Sequence, residues 1–185
     1  MKTILTIATL LSFATTAYTQ DYFENFKKLL SEKDTLGERN LLAEWKSKND
    51  NDPELYTSYF NYYVQKSISD IIRLDGNPGV RESVTVTDST NRVVGYIYGE
   101  TRYNPKYLDL GFESIDKGIE KFPNRLDMRF GKIHMLGQAK SFDAFTSEIV
   151  RSINYSVINK DQWQWTMNEP VDKPKDSSSK IFRPI

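Results

Sequence analysis

The segment IEKFPNRLDMRFGKIHMLG, residues Ile119–Gly137, decides the predicted fold. Its Pro123-Asn124 pair stands between two segments in which apolar residues recur at helical spacing. Proline at the end of such a pattern is a typical helix stop signal. The segment therefore predicts two helices joined by a turn of a few residues, and so short a connection forces the helices to pack antiparallel.

The same pattern continues on both sides of this turn. Three successive helices are predicted, with apolar positions at Tyr107, Leu108, Phe112, Ile115 and Ile119, then Leu126, Phe130, Ile133 and Leu136, then Phe142, Phe145, Ile149 and Ile153. Residues on facing stripes of adjacent helices share a core. We expect one shared core from Phe112, Ile115, Phe130, Ile133, Phe145 and Ile149.

Three further helices are predicted nearer the N-terminus. The first begins at Asp21, the second runs from Thr35 to Lys48, and the third covers residues 53–68. The third opens with Asp52 before Pro53, a typical N-cap, because proline is tolerated at the first helical position. The sequence thus predicts about six helices.

Helical periodicity is lost between Asp75 and Pro105. The sequence DGNPG is typical of a loop, and ESVTVTDSTNRVVGYIYGE alternates apolar and polar residues around the turn sequence DSTN. We predict a β-hairpin at about residues 80–100, inserted into a helical domain that covers residues 20–160.

Residues 161–185 differ from the rest, and we predict an extended tryptophan-containing segment followed by a polar tail. Trp163 and Trp165 lie two positions apart, so they share a face only in an extended chain. The segment could be a clasp that covers the end of the helical domain, or it could be a recognition element.

Residues 1–19 have the features of a secretory signal peptide. Lys2 precedes an apolar run from Ile4 to Phe13, and small residues follow, so that cleavage could come after Ala17 or Thr19. A run of this length is too short to span a bilayer. We expect an exported protein, periplasmic or secreted and of bacterial type, because the chain contains no cysteine for disulfide bridges.

The charge balance narrows the possible partners. The chain has 25 basic and 25 acidic side chains and a formal net charge of zero, with the two signs interspersed. It therefore presents no basic field for nucleic acid, and beyond the leader there is no apolar run of membrane-spanning length.

Residues 107–155 resemble the tetratricopeptide repeat family. Ile115 and Ile149 lie 34 residues apart, which is the period of that repeat. The sequence LGFESIDKGIEKFPN looks like the second helix of a unit, with Gly111 and Gly118 at the small positions and Pro123 at the terminal proline. The resemblance, and a looser one to exported tetratricopeptide-like proteins of Bacteroidetes, implies an all-α array of antiparallel helix-turn-helix repeats with a β-hairpin insertion.

The chemistry-bearing residues form no recognisable catalytic motif. His134 is the only histidine, and no Gly-x-Ser-x-Gly or phosphate-binding glycine loop occurs. Asp50, Asp52 and Glu54 lack the glycine and distal glutamate of a calcium loop, so we assign them to helix capping. We expect no enzyme, no metal and no cofactor.

Aromatic residues are the most prominent candidates for a binding role. We predict a non-catalytic interaction module or scaffold that binds a protein or peptide; the alternative is a glycan or small-ligand binder that uses exposed rings. A flat apolar patch would favour protein, whereas parallel rings lining a cleft would favour sugar. The candidate partner-binding residues are Tyr56, Tyr59, Tyr62, Tyr63, Tyr103, Trp163 and Trp165.

Overall fold

The computed structural model of the chain describes residues 21–171, so the predicted signal peptide and the polar tail after residue 171 lie outside the described residues. The described chain contains six α-helices and three strands. In chain order they are α1 (21–32), α2 (Thr35–Lys48), α3 (Pro53–Ser67), β1 (Ile68–Asp75), β2 (Val84–Thr87), β3 (Val93–Tyr103), α4 (Pro105–Lys121), α5 (Leu126–Gln138) and α6 (Phe142–Asn159). A short 3₁₀ helix, Thr166–Asn168, follows.

The prediction of an all-α repeat array was wrong, because the chain forms an antiparallel sheet with strand order β1-β3-β2. The predicted hairpin is present as β2 and β3, but β3 is the longer strand. On its other side β3 pairs with β1, from Ile68 opposite Tyr103 to Asp75 opposite Tyr96. Strand β1 starts at the residue that follows α3, where the sequence pattern predicted the end of a helix.

The sheet is an arm that the chain forms between α3 and α4, two helices that pack directly on each other. Helices α3 and α4 pack extensively on each other, although β1, β2 and β3 separate them in the chain. The backbone N–H of Asn104 donates to the carbonyl of Ser67 over 2.7 Å and closes the base of the arm. The sheet therefore extends from the helices as a continuation of the α3–α4 pair.

Caps fix where the helices begin. The Asp52 side chain accepts from the backbone N–H of Glu54, and Asn104 does the same for Lys106, with proline at the first helical position in both cases. The indole Nε1 of Trp45 also donates to Asp52, over 2.9 Å, so the cap of α3 is tied to the core beneath α2.

Buried apolar residues form two clusters in the described chain. The first joins α1, α2 and α3 and contains Tyr22, Phe26, Leu42, Trp45, Leu55 and Tyr62. The second joins α3, α4 and α5 and contains Phe60, Leu108, Ile115, Met128 and Met135.

Only part of the predicted shared core is found. Ile115 is in the second cluster and Phe112 packs against it, but Phe130, Ile133, Phe145 and Ile149 are not among its residues. Helix α5 instead faces α4 with Met128 and Met135, which lie two turns apart. The apolar periodicity of α5 predicted a different buried side, because the side that is buried also carries the charged residues Arg129 and Lys132.

Gly118 permits a close approach of three helices. A β-carbon at this position of α4 would lie 2.8 Å from Cβ of Tyr56 on α3 and 3.0 Å from Sδ of Met128 on α5. At Gly111 the nearest atom would be at 3.5 Å, an ordinary contact distance. The small residue at Gly118 is therefore required by packing.

The segment after α6 returns to the helices. The backbone N–H of Gln164 donates to Asn124, and the Gln164 carbonyl accepts from Leu126 over 2.9 Å, which holds the segment against the α4–α5 turn. Trp163 is 4% exposed, and its indole donates to Ser156. Trp165 is 41% exposed and meets Phe130 edge-on. The two tryptophans thus have different environments.

Candidate interaction surface

The four predicted tyrosines of α3 pack mainly on one another and on the cores. Tyr59 and Tyr63 stack with ring centroids 6.3 Å apart, and Tyr63 meets Tyr62 edge-on at 5.0 Å. Tyr62 is buried, while Tyr59 and Tyr63 are half-buried against the first cluster. Burial raises the pKa of the Tyr59 hydroxyl, and the neighbouring tyrosines add to the shift. Tyr56 is half-buried against the second cluster.

The other three predicted residues lie elsewhere. Tyr103 is half-buried at the end of β3, and Trp163 and Trp165 belong to the segment after α6. The seven residues thus occupy three parts of the fold: α3, the base of the sheet and the C-terminal segment.

One face of the sheet is apolar and exposed. Leu74 of β1 and Val84 of β2 lie opposite Ile97 of β3 from its two sides, so these three residues form a row across the sheet. Ile72 lies two positions from Leu74 on the same face. Ile72 is 83% and Leu74 69% exposed, and Val84 and Ile97 are exposed as well. This set, Ile72, Leu74, Val84 and Ile97, is called the apolar sheet face below.

Gly99 leaves a recess in the sheet surface beside these side chains. It lies opposite Ile72 and two positions from Ile97. A β-carbon built at Gly99 would meet no atom within 4 Å. At Gly95, two positions before Ile97, the corresponding space is filled, since a β-carbon would lie 3.1 Å from Cδ1 of Leu74. The apolar sheet face therefore has a recess at Gly99 that is open to a side chain from outside.

The edge of the sheet next to this face is also open. Strand β1 is an edge strand, and among the described elements it packs substantially only against β3. An edge strand presents unpaired backbone N–H and C=O groups to a further strand. Asp70 lies on the same side of β1 as Ile72. Its carboxylate accepts a 2.7 Å bond from the hydroxyl of Thr101, and it forms no salt bridge with any described residue.

The opposite face of the sheet carries a group of paired charges and a buried tyrosine. Arg73 donates to Glu100 over 3.1 Å, and Arg102 lies 3.5 Å from the same carboxylate. The bond from Arg73 lowers the pKa of Glu100. Tyr98 is buried on this side, with the Arg81 guanidinium 5.1 Å from its ring centroid. The paired charges and the buried Tyr98 thus lie on the face that Arg81 of the loop before β2 contacts, and the exposed apolar side chains lie on the other.

Charged residues inside the helical part form two clusters that sequence patterns did not indicate. Arg125 bonds to Glu54 and Asp127, and all three are largely buried. Burial alone would lower the pKa of Arg125, but the bonds to Asp127 and Glu54 outweigh it and raise that pKa. These contacts join α3, α5 and the C-terminal segment, because Thr166 donates to Asp127. The cluster therefore holds these three parts of the fold together.

The second charged cluster joins the last three helices. Lys132 of α5 lies 3.0 Å from Glu148 of α6 and also bonds to Asp116 of α4. Arg129 lies 3.6 Å from the same glutamate, and its guanidinium is 4.8 Å from the ring of Tyr155. Burial lowers the pKa of Arg129, although Glu148 opposes the shift. This cluster occupies the inner side of α5 that was predicted to be apolar.

His134 and the acidic side chains are the residues of the described chain that were considered for catalysis or metal binding. His134 is exposed on α5 and makes no side-chain hydrogen bond with any described residue. Residues 21–171 contain no group of three or more acidic or histidine side chains placed to hold a metal ion. None of the helices in this range has both the length and the apolar character needed to cross a membrane.

Two surface depressions in the described part of the chain are lined by residues other than the aromatic ones. One is lined by residues of α2 and the loop after it, from Ala43 to Asp50, and another by Asp143, Thr146, Ser147, Val150 and Arg151 of α6. Neither lining includes an aromatic ring. The arrangement expected of a sugar site, parallel rings along a cleft, is not what the two depressions offer.

The apolar sheet face was missed by sequence reasoning because β1 was not recognised. The available signal was the alternation of Ile72 and Leu74 with Arg73 and Asp75, which is a strand pattern.

In comparisons with family models, curated proteins and solved structures, nothing matches the chain. The resemblance of residues 107–155 to tetratricopeptide repeats therefore rests on those residues alone and stays a prediction.

Proposed function

We propose that the protein is a non-catalytic binding module whose apolar sheet face binds an extended segment of a protein partner. The observation that carries the proposal is the exposure of Ile72, Leu74, Val84 and Ile97 together on one face of the sheet. Contiguous exposed apolar residues are typical of interaction sites, because leaving them in water costs free energy that a partner can recover.

The chemistry of the surface describes the partner. A partner strand placed along β1 would bond to the open backbone groups of that edge, and its alternate side chains would lie over the apolar face. One apolar side chain would enter the recess at Gly99. The carboxylate of Asp70, which has no salt bridge within the described chain, favours a lysine or arginine in the same segment. We therefore propose an apolar extended peptide segment with one basic residue.

The signal-peptide pattern also suggests where in the cell the protein would bind its partner. Residues 1–19 have the pattern of a signal peptide, so we propose that binding takes place after export, in the periplasm or outside the cell. No observation on the described residues favours the glycan alternative, since the rings of α3 pack on one another and on the buried clusters. The protein partner is the function that we carry forward.

The test is selection of random short peptides displayed on phage against the purified protein, followed by titration of synthetic copies of the selected peptides. We expect selected peptides to alternate apolar residues and to carry a basic residue. Gly99→Val places a side chain in the recess, where a β-carbon has no atom within 4 Å, so it should weaken binding at least about tenfold while leaving the fold intact. Asp70→Lys should change the selected charge from basic to acidic.

Gly76→Val is the matched control. A β-carbon at Gly76 also has no atom within 4 Å, but Gly76 lies in the loop after β1, away from the apolar sheet face. This variant should bind like the wild type. Peptides that bind Gly99→Val as tightly as the wild-type protein, or a selection without apolar alternation, would show that this face is not the binding site.

A further inference from the structure

Helix α6 has a second exposed apolar surface, on the side away from α5. Val150, Ile153, Val157 and Ile158 are all exposed, and Val157 is 78% exposed. Residues of one helix face recur at every third or fourth position, which places Val150, Ile153 and Val157 in one stripe. Glu148 and Ser152, which are buried, lie on the opposite side of the helix. The stripe is called the outer α6 stripe, and it consists of Val150, Ile153 and Val157.

Two charged residues, Asp143 and Lys160, are placed symmetrically about the pair Val150 and Ile153 of this stripe. Asp143 lies seven residues before Val150, and Lys160 lies seven residues after Ile153. Asp143 is in the first turn of α6 and Lys160 is its C-cap. Both side chains are exposed, and neither forms a salt bridge with a residue between 21 and 171. Asp143 and Lys160 thus lie at equal distances along the chain from the midpoint between Val150 and Ile153.

Such an arrangement is complementary to itself. When two copies of α6 pack antiparallel with Val150 of one opposite Ile153 of the other, Asp143 of each copy lies opposite Lys160 of its neighbour. A two-fold axis makes both ion pairs at once, as in other isologous contacts. The antiparallel arrangement also places opposite ends of the two helix dipoles side by side.

We propose that the outer α6 stripe is a homodimer interface in which a second copy of this chain packs antiparallel on α6. The charge complementarity of Asp143 and Lys160 selects a second copy over an unrelated partner, because one helix supplies both halves of each ion pair. The surface is separate from the apolar sheet face. A dimer would therefore present two sheet arms, each free to bind.

The test is sedimentation equilibrium of the purified protein over a range of concentrations. We expect a monomer–dimer equilibrium. Asp143→Lys replaces two attractive contacts by two repulsive ones and should raise the dimer dissociation constant about tenfold. Lys160→Asp should do the same, and the double variant D143K/K160D should restore dimerisation, because the pairs then re-form with exchanged signs.

Val157→Lys should remove the dimer, and Val80→Lys is its matched control. Val80 is also a fully exposed valine, but it lies in the loop before β2. Circular dichroism of each variant shows whether the fold is retained. A protein that stays monomeric at the highest concentration reached overturns the proposal. A dimer that Val157→Lys leaves unchanged, or a double variant as weak as the single ones, overturns it equally.

Discussion

The guanidinium Nη1 of Arg125 donates to Oε1 of Glu54 over 2.7 Å, and both side chains are fully buried. The same Glu54 oxygen accepts the backbone N–H of Met167 over 2.7 Å. One carboxylate thus connects the start of α3, the start of α5 and the C-terminal segment.

Removal of Arg125 should destabilise the protein strongly. Arg125→Met leaves the carboxylates of Glu54 and Asp127 without their cation, and breaking a buried ion pair from one side costs about 3–5 kcal/mol. Urea unfolding followed by circular dichroism measures the loss. Arg92→Met is the control, since the Arg92–Asp88 pair is exposed and should contribute less than about 1 kcal/mol. Equal losses in the two variants would contradict the structural role of Arg125.

The N-caps of α3 and α4, each followed by a proline, should contribute different amounts to the stability of the protein. Asp52→Ala removes the cap of α3 and also leaves the buried indole N–H of Trp45 without an acceptor, so we expect a loss of about 2–4 kcal/mol. Asn104→Ala removes only the exposed cap of α4 and should cost about 1 kcal/mol. Chemical unfolding measures the free energy of unfolding of both variants. A larger loss for Asn104→Ala than for Asp52→Ala would contradict the prediction.

The two glycines of α4 should respond with opposite signs. At Gly118 an alanine β-carbon meets Tyr56 at 2.8 Å and Met128 at 3.0 Å, so crowding should outweigh the gain in helix propensity and cost about 1–2 kcal/mol. At Gly111 the space is sufficient, and alanine should stabilise the helix by up to about 1 kcal/mol. Thermal unfolding of Gly118→Ala and Gly111→Ala distinguishes the signs; a gain in both would mean that α4 can move away from α3.

Glu38 should make stability fall as pH rises. Burial, and secondarily the charge of Asp34, raise the pKa of Glu38 above its usual 4.5, an effect that the nearby Gln65 amide opposes in part. The folded protein therefore holds this proton more tightly than the unfolded chain does. The cost of ionising Glu38 appears as the pH rises from about 4.5 through the folded-state pKa, and it persists at neutral pH.

Glu38→Gln should remove this cost. We expect a higher melting temperature than wild type at neutral pH, with the difference shrinking below pH 4.5, where Glu38 is protonated in both states. Melting temperatures across this range give the measurement. Glu113→Gln, at an exposed position of α4, should show no comparable change. A Glu38→Gln variant that is less stable at neutral pH would mean that the carboxylate is usefully paired.

The tryptophans should differ in access to a soluble quencher. Trp45 and Trp163 are buried, whereas Trp165 is exposed. Acrylamide should therefore quench one fraction of the emission readily, and Trp165→Phe should remove that fraction. If Trp165→Phe leaves the accessible fraction unchanged, the segment after α6 is not placed as described. The comparison also decides between a clasp at Trp163 and a free recognition element.

Local sequence signals predicted the capped helices well. Helix α2 runs from Thr35 to Lys48 as expected, and Asp52 caps α3 with Pro53 at its first position. These features depend on residues that are neighbours in the chain. The resemblance to tetratricopeptide repeats implied small residues at both Gly111 and Gly118, and close packing requires one only at Gly118.

The parts that were missed depend on distant partners. Strand β1 is stabilised by pairing along β3, and two of its apolar residues, Ile72 and Leu74, face solvent, so no buried apolar stripe marked it in the sequence. In α5 the inner side carries Arg129 and Lys132, whose partner Glu148 is on another helix. Apolar periodicity alone cannot find a buried side that is charged.

The bond between Met167 and Glu54 also constrains the order in which the chain can fold. The two residues are 113 positions apart, so the ring closed by this contact includes most of the described chain. Helices α2 and α3 can form early from local contacts, as a chain emerges from the ribosome with its N-terminal part first. The carboxylate of Glu54 obtains its last partner only after residue 167 has been synthesised, so the native state is completed after translation has passed that residue.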